Sequence, residues 1–286
     1  MMPFDLAEPR SLEEAIALLD RDDPAVRPIA GGTALMLMMK SGLFRPQRLV
    51  SLRRIEPRHA EIAFEDGALR IGAMTRLAAL EHSPLLREHA PVVVRTMRTL
   101  ANVRVRNVAT VGGNLAHADP HLDLPPVWIV LGAAVTIAGR AGARTLPVER
   151  LFTGYYETVL RHDEIITMLT VPPQARRGAA YLKYTARSAD DWPALGIAVS
   201  FAADGGRIAG ARVAVGAATP MPMRLAAAEA ALEGAAPGDA AFERAGEAAA
   251  AEADIAGDSR GSAPYKRALL RVLVPRAARA ALEGAG

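Results

Sequence analysis

The sequence contains no cysteine among its 286 residues. This absence excludes disulfide bonds, thiolate nucleophiles and any iron–sulfur cluster bound by the chain's own thiolates. A cluster that works with this chain must therefore be bound by a partner. Lysine is scarce too: Lys40, Lys183 and Lys266 are the only three, and the arginines are mixed with acids to give a net charge of +3. The sequence has no block of basic residues that would indicate binding to nucleic acid.

Long hydrophobic runs are also missing, although hydrophobic residues make up 51% of the chain. Because no stretch of about 18 apolar residues occurs, we expect no membrane-spanning segment. The first residues lack the basic and apolar segments of a secretory signal, so we expect a cytoplasmic protein. A chain of 286 residues exceeds the usual domain size of about 100–200 residues, which predicts more than one domain.

The order of predicted helices and strands indicates an α+β protein with two domains. We expect the first domain at residues 1–174, with a small parallel β-α-β unit at about 1–57 and a larger mixed or antiparallel sheet at about 58–174. Pro172 and Pro173 break the last predicted strand and mark the boundary. Residues 175–286 are predicted to form a three-stranded antiparallel sheet followed by helices.

Two glycine pairs, at residues 31–32 and 112–113, each follow an apolar segment and precede a small polar residue. Glycine tolerates positive φ and leaves backbone N–H groups accessible, so we expect each pair to form a concave anion site. A following helix adds positive potential there. Two such turns predict a ligand with two phosphates, with ordinary tight turns as the alternative. Neither pair has the spacing of a Rossmann or P-loop motif.

A second cluster of polar residues follows the second glycine pair. His117, Asp119, His121 and Asp123 alternate along the chain, and a period of two would place them on one side of an extended segment. A metal-dependent hydrolase is therefore an alternative. Against a metal site, Pro120 interrupts any regular strand, and both aspartates also fit a turn and a helix cap. We assign no metal ligand and no catalytic side chain.

Three further side chains are candidates for ligand contacts. Trp192 lies in a polar turn, where it could cover one face of a flat cofactor or anchor a core or interface. Lys183 could meet a negative charge on a cofactor, or be a surface residue on the solvated face of a strand. Asp123 could accept hydrogen bonds from ribose or ribityl hydroxyls.

Residues 30–33, 110–120 and 123–125 closely resemble the FAD-binding medium subunit of molybdenum hydroxylases, the carbon monoxide dehydrogenase and xanthine dehydrogenase family. The resemblance covers essentially the whole chain and implies a PCMH-type FAD-binding fold. It implies that residues 28–35 and 110–114 wrap the pyrophosphate of FAD. Ala34 replaces the polar residue of many relatives, so its contact would be through the backbone. Pro193 departs from the usual small residue after the aromatic position.

The FAD contacts implied by the resemblance are Pro28, Ile29, Ala30, Gly31, Gly32, Thr33, Ala34, Leu35, Leu100, Thr110, Val111, Gly112, Gly113, Asn114, Asp123, Ile166, Lys183 and Trp192. Asp123 would meet sugar or ribityl hydroxyls, and Trp192 would lie near the isoalloxazine. The resemblance also implies an electron-transfer role. FAD would pass electrons from iron–sulfur clusters on a small subunit to a terminal acceptor. The substrate would react on a large molybdopterin-binding subunit, with two such trimers forming a heterohexamer. A scaffold subunit that has lost its cofactor is a third alternative.

Overall fold

The N-terminal part of the chain forms a small parallel sheet, as the sequence predicts. A computed structural model describes residues 2–174 and 176–285. The three parallel strands are paired in the order β1-β3-β2, and two helices connect them. These elements are β1 (Asp5–Ala7), α1 (Leu12–Leu18), β2 (Val26–Ile29), α2 (Thr33–Lys40) and β3 (Arg48–Ser51). Helix α1 begins after its N-cap Ser11, whose side chain accepts the Glu14 N–H at 3.0 Å.

The second sheet is larger and antiparallel, with five strands in the order β4-β5-β10-β6-β7. Its strands are β4 (Ile62–Glu65), β5 (Ala68–Gly72), β6 (Ala134–Gly139), β7 (Gly142–Pro147) and β10 (Ile165–Val171), with β8 (Phe152–Gly154) and β9 (Glu157–Thr158) forming a separate hairpin. The helices of this part are α3 (Leu77–His82), α4 (Pro84–His89), α5 (Pro91–Met97), α6 (Val103–Arg106), α7 (Val111–His117) and α8 (Leu124–Val130). Helix α8 lies in the core, where Trp128 is fully buried.

The C-terminal sheet has four antiparallel strands, so the prediction of three was wrong. The strands are β11 (Arg177–Tyr184), β12 (Leu195–Asp204), β13 (Arg207–Gly216) and β14 (Met223–Arg224). Strand β14 has only two residues, too short to give an alternating pattern, and its pairing with β13 comes from the tertiary structure. The helices α9 (Ala226–Leu232), α10 (Asp239–Glu252) and α11 (Ala263–Glu283) bury alanine-rich faces in one core with this sheet.

Contacts across the predicted domain boundary join the C-terminal sheet to helix α8 and to Pro120, which precedes that helix. Helix α8 packs against β12 and β13, and the Ala217 N–H donates to the Pro120 carbonyl at 2.8 Å. The division at residues 174 and 175 stays a prediction. Among the helices that the structure describes, none combines the length and apolar character needed to cross a bilayer.

Candidate functional site

A cavity of about 480 Å³ lies between the parallel sheet, helix α7 and strand β11. Its lining includes every predicted FAD contact except Val111, whose side chain is buried in the core. The structure thus brings together Pro28, Ile29, Ala30, Gly31, Gly32, Thr33, Ala34, Leu35, Leu100, Thr110, Gly112, Gly113, Asn114, Asp123, Ile166, Lys183 and Trp192. That these residues contact FAD stays a prediction.

The first glycine pair opens helix α2 towards this cavity. Gly32 is the N-cap, has φ of 76° and has no side chain to cap the helix. Within the described residues, the N–H groups of Thr33, Ala34 and Leu35 have no acceptor, whereas that of Met36 donates to the Gly32 carbonyl. The first turn of a helix carries such free donors together with partial positive charge. This end of the cavity can therefore bind an anion.

Gly31 brings the two glycine segments close together. A Cβ at Gly31 would lie only 2.1 Å from the Val108 carbonyl oxygen and 2.9 Å from the Ala109 Cα. Only glycine allows the first segment to lie directly against the chain that leads into the second. The two motifs are therefore adjacent walls of one site.

The second glycine pair differs from the prediction. Gly112 and Gly113 lie in the first turn of α7, which follows an isolated bridge at Thr110 rather than a strand, and neither has positive φ. Their N–H groups are not free. The Gly112 N–H donates to the Ala73 carbonyl at 2.7 Å, and the Gly113 N–H donates to the Thr110 hydroxyl oxygen at 3.2 Å. A tertiary acceptor and a side-chain cap thus use the donors on which the expectation relied, and an anion contact at this pair stays a prediction.

Near the second glycine pair, side chains rather than backbone N–H groups are available for hydrogen bonds to a ligand. The Thr110 hydroxyl accepts from Gly113, which leaves its own hydrogen available to donate. The Asn114 Oδ1 atom is buried without a partner in the part of the chain that the structure describes, and Asn114 lines the cavity. A buried acceptor of this kind indicates a donor on a ligand.

Asp123 and Lys183 form a buried ion pair in the cavity wall. The Lys183 Nζ donates to Asp123 Oδ2 at 3.2 Å and to the Thr99 carbonyl at 2.8 Å, and the Tyr181 hydroxyl donates to Asp123 Oδ1 at 2.7 Å. Both charged side chains are almost fully buried, so the alternative that Lys183 is a surface residue was wrong. Burial raises the pKa of Asp123, although Lys183 and Tyr181 favour its charged form. The pair offers both an acceptor and a donor to a ligand.

Trp192 stands at the edge of the cavity. The residue is 47% exposed, and its ring stacks on His121 with centroids 5.9 Å apart and has the Arg260 guanidinium 5.1 Å from its centroid. It is not a core residue, since it is half exposed. A flat ligand can cover the exposed indole.

The four residues of the hydrolase alternative do not form a metal site. His117 ends helix α7 and Asp123 pairs with Lys183, so the extended segment that would align the four side chains is absent. His121 instead bridges Asp119 and Asp258. Within residues 2–174 and 176–285, no three His, Asp or Glu side chains converge in a way that could hold a metal ion.

Comparisons with known proteins agree with this arrangement. Residues 2–174 match the family model described as the FAD binding domain in molybdopterin dehydrogenase, and residues 180–281 match the CO dehydrogenase flavoprotein C-terminal domain. The chain is 34% identical to the carbon monoxide dehydrogenase medium chain of Hydrogenophaga pseudoflava, covering 97% of this chain and 96% of that protein. It is 33% identical to the nicotine 6-hydroxylase medium subunit of Paenarthrobacter nicotinovorans, covering 94% of each.

The chain belongs to the family of FAD-binding medium subunits of molybdenum hydroxylases. Solved structures agree. Carbon monoxide dehydrogenase from Hydrogenophaga pseudoflava, lacking the Mo-pyranopterin moiety of its molybdenum cofactor, matches with a TM-score of 0.96 and 36% identity over 100% of both chains. Quinoline 2-oxidoreductase from Pseudomonas putida 86 matches with a TM-score of 0.92 and 29% identity over 100% of this chain and 99% of that one. These findings give no support to the hydrolase alternative.

The polar groups of the cavity fit FAD, the cofactor of this family of medium subunits. The free N–H groups of α2 and the Thr110 hydroxyl suit phosphate oxygens. The unpaired Asn114 oxygen and the Asp123 carboxylate suit hydroxyl donors. The exposed face of Trp192 suits a flat ring.

Sequence reasoning about this medium subunit missed several cavity residues. Arg27 lines the cavity on β2, where its guanidinium lies over the Phe44 ring, 5.9 Å from the ring centroid. Its positive charge therefore lies at the cavity wall. Tyr156 lines the cavity beside His117, with ring centroids 5.3 Å apart, and has an unusual φ of 58°. The adjacent Tyr155 and Tyr156 in a chain with few aromatics were the available signal.

Proposed function

We propose that this chain binds FAD in the cavity and passes electrons from iron–sulfur clusters on a partner subunit to a terminal acceptor. The observation that carries the proposal is the convergence of the uncapped α2 N-terminus with the Thr110–Asn114 segment on one cavity of about 480 Å³. A volume of this size is within the usual range of cofactor sites, about 300–1,000 Å³.

Different polar residues of the cavity bind different parts of FAD. The N–H groups at Thr33, Ala34 and Leu35 bind the diphosphate, and Arg27 supplies a full positive charge nearby. The small Gly113 leaves room for the ligand to approach α7.

The buried pair of Asp123 and Lys183 orients the sugar or ribityl hydroxyls. Trp192 covers part of the ring system at the cavity edge. When bound, FAD supplies the acceptance and release of electrons, and the protein supplies binding and orientation.

The partners are a large molybdopterin-binding subunit and a small iron–sulfur subunit, assembled as two trimers in a heterohexamer. Two observations support this proposal. Relatives of similar length are described as medium chains or medium subunits, and the chain has no cysteine with which to bind a cluster.

Flavin content tests the cofactor assignment. The purified full chain, supplied with FAD, should be yellow and should release FAD in a 1:1 ratio on denaturation. A colourless protein that cannot be reconstituted with FAD would contradict the assignment and would favour the scaffold alternative. Purification from its native host then tests the partners, since a molybdenum-containing large subunit and a cysteine-rich small subunit should co-purify.

A further inference from the structure

A buried carboxylate oxygen of Asp119 has no partner in the wall of the cavity. Asp119 is 1% exposed and lines the cavity, and its Oδ2 atom has no hydrogen bond of normal geometry to any residue that the structure describes, although the Tyr156 hydroxyl is close enough to the carboxylate to lower its pKa. Buried carboxylate oxygens are costly to leave without a donor. This atom can therefore accept a hydrogen bond from a donor on a ligand in the cavity.

The other oxygen of Asp119 is held firmly by His121. Oδ1 accepts the His121 backbone N–H at 2.9 Å and lies 3.0 Å from the ring Nδ1. The opposite ring nitrogen, Nε2, lies 3.0 Å from Asp258 Oδ2, which accepts from Lys266 Nζ at 2.8 Å. Lys266 is 1% exposed and lies in the first turn of the long helix α11. This series of contacts therefore fixes Asp119 against the C-terminal part of the fold.

These contacts keep Asp119 ionised and keep its free oxygen in place. Burial alone would raise the pKa of Asp119, but the hydrogen bonds from His121 outweigh it and lower the pKa. A rigid anion cannot share a subsite with a phosphate. The diphosphate therefore belongs at the α2 N-terminus, and Asp119 faces an uncharged part of the ligand.

The neighbours of Asp119 favour a flat ring there. Trp192 stacks on His121, and Tyr156 lines the same region of the cavity. Burial, then a hydrogen bond to Asp119 and then the Asp119 charge raise the pKa of the Tyr156 hydroxyl, so the two side chains lie close together. These two aromatic side chains near Asp119 offer surfaces that suit a ring system.

We propose that Asp119 is a further cofactor-binding residue, whose Oδ2 accepts a hydrogen bond from an N–H or hydroxyl donor in the flavin half of FAD. His121 is its positioning residue. The inference rests on the proposed function, because it requires FAD in this cavity. It adds a carboxylate contact to the predicted set and assigns it to the flavin end of the ligand.

The first measurement is the FAD dissociation constant of the full chain. A hydrogen bond to a charged group contributes about 1.5–3 kcal/mol, so Asp119→Ala should weaken FAD binding by about 10- to 150-fold. His121→Ala should weaken binding in the wild-type background but have little further effect in Asp119→Ala, because His121 acts through Asp119. Equal FAD affinity in wild type and Asp119→Ala would overturn the proposal.

The second measurement is the midpoint potential of the bound flavin, which a purely structural role would not change. Asp119→Asn keeps the shape and an acceptor oxygen but removes a negative charge beside the ring. Because that charge opposes electron uptake, the potential should become more positive. An unchanged potential would overturn the assignment to the flavin half.

Asp163 provides the matched control. It is also a buried aspartate with an unpartnered carboxylate oxygen within the described residues, but it does not line the cavity. Asp163→Asn should leave both the FAD affinity and the potential unchanged, and an equal change in this variant would overturn the proposal. Failure of the wild-type chain to bind FAD would refute the proposed function, a result distinct from normal binding by Asp119→Ala.

Discussion

Gly113 is the position where a single added carbon should block the ligand without disturbing the fold. It lies in the first turn of α7, is exposed and lines the cavity. An added Cβ would meet Thr110 Oγ1 at 3.0 Å and Ala30 Cβ at 3.9 Å, and no other described side chain or neighbouring segment within 4 Å. The new methyl group would therefore occupy space between the two glycine segments.

The expected magnitudes separate binding from stability. Forcing one extra methyl group into a fitted contact costs about 1–3 kcal/mol, so Gly113→Ala should weaken FAD binding by about 5- to 150-fold. Alanine is favoured over glycine in a helix by up to about 1 kcal/mol, which offsets the small shift that the Thr110 hydroxyl must make. The free energy of unfolding of the apoprotein should therefore change by less than about 1 kcal/mol. Gly113→Val, with a larger side chain, should abolish measurable binding.

Gly112→Ala is the matched control, because its Cβ would point into the core. It would lie 2.7 Å from the Ala73 Cβ and 3.0 Å from the Ala73 carbonyl oxygen. This variant should lower the apoprotein Tm by several degrees, since each kcal/mol shifts Tm by about 2–4 °C in a protein of this size. Isothermal titration with FAD and thermal melts of the apoproteins make the comparison. Wild-type affinity in Gly113→Ala, or a loss explained by a lower Tm, would refute the reasoning.

Two further predictions concern buried and partly buried charges. Lys183→Met leaves the Asp123 carboxylate buried and unpaired, so the free energy of unfolding measured by urea titration should fall by about 3–5 kcal/mol. The control Arg271→Met removes an exposed ion pair and should change the free energy of unfolding by less than about 1 kcal/mol. The second concerns pH. Burial alone would lower the pKa of His121, but the hydrogen bonds to Asp119 and Asp258 together outweigh it and raise the pKa. The contribution of His121 to stability is therefore complete below about pH 6.5 and is lost as the pH rises through the folded-state pKa. Although burial opposes it, Lys266 and then His121 lower the pKa of Asp258 to about 2, so its contribution is complete above about pH 3.9 and is lost towards pH 2. Denaturant titrations across pH should show a maximum between these limits that flattens in His121→Gln; an unchanged profile would contradict the assignment.

Local patterns were sufficient to predict much of the fold. Ser11 and the acid three residues later have the spacing of a capping box, which indicates the start of α1. Alternating apolar residues on either side of the turn at Asp66 are typical of a hairpin and indicate β4 and β5. Strand β14 could not be predicted, because two residues carry no periodicity and pair only once β13 is in place. Short elements owe their existence to tertiary contacts, which the sequence does not display.

The site residues that belong to short sequence motifs could be predicted. The glycine segments and Asp123 could be named from the sequence, and they line one cavity. The partners of Asp123 and His121 could not, since they lie 60 and 137 residues away along the chain at Lys183 and Asp258. Long-range pairs of this kind decide whether a polar residue is free for a ligand or already satisfied.

The two glycine pairs look alike in sequence but differ in their position relative to the helix N-cap, and this position decides their role. In the first pair Gly32 is itself the N-cap, so no side chain competes for the free N–H groups of α2. In the second pair Thr110 is the N-cap and satisfies its own helix, while the glycines follow inside the first turn. There, a missing Cβ allows Gly112 to pack against Ala73 and leaves space beside Gly113. One pair therefore supplies hydrogen-bond donors and the other supplies room, so a site for one diphosphate needs both and needs them adjacent.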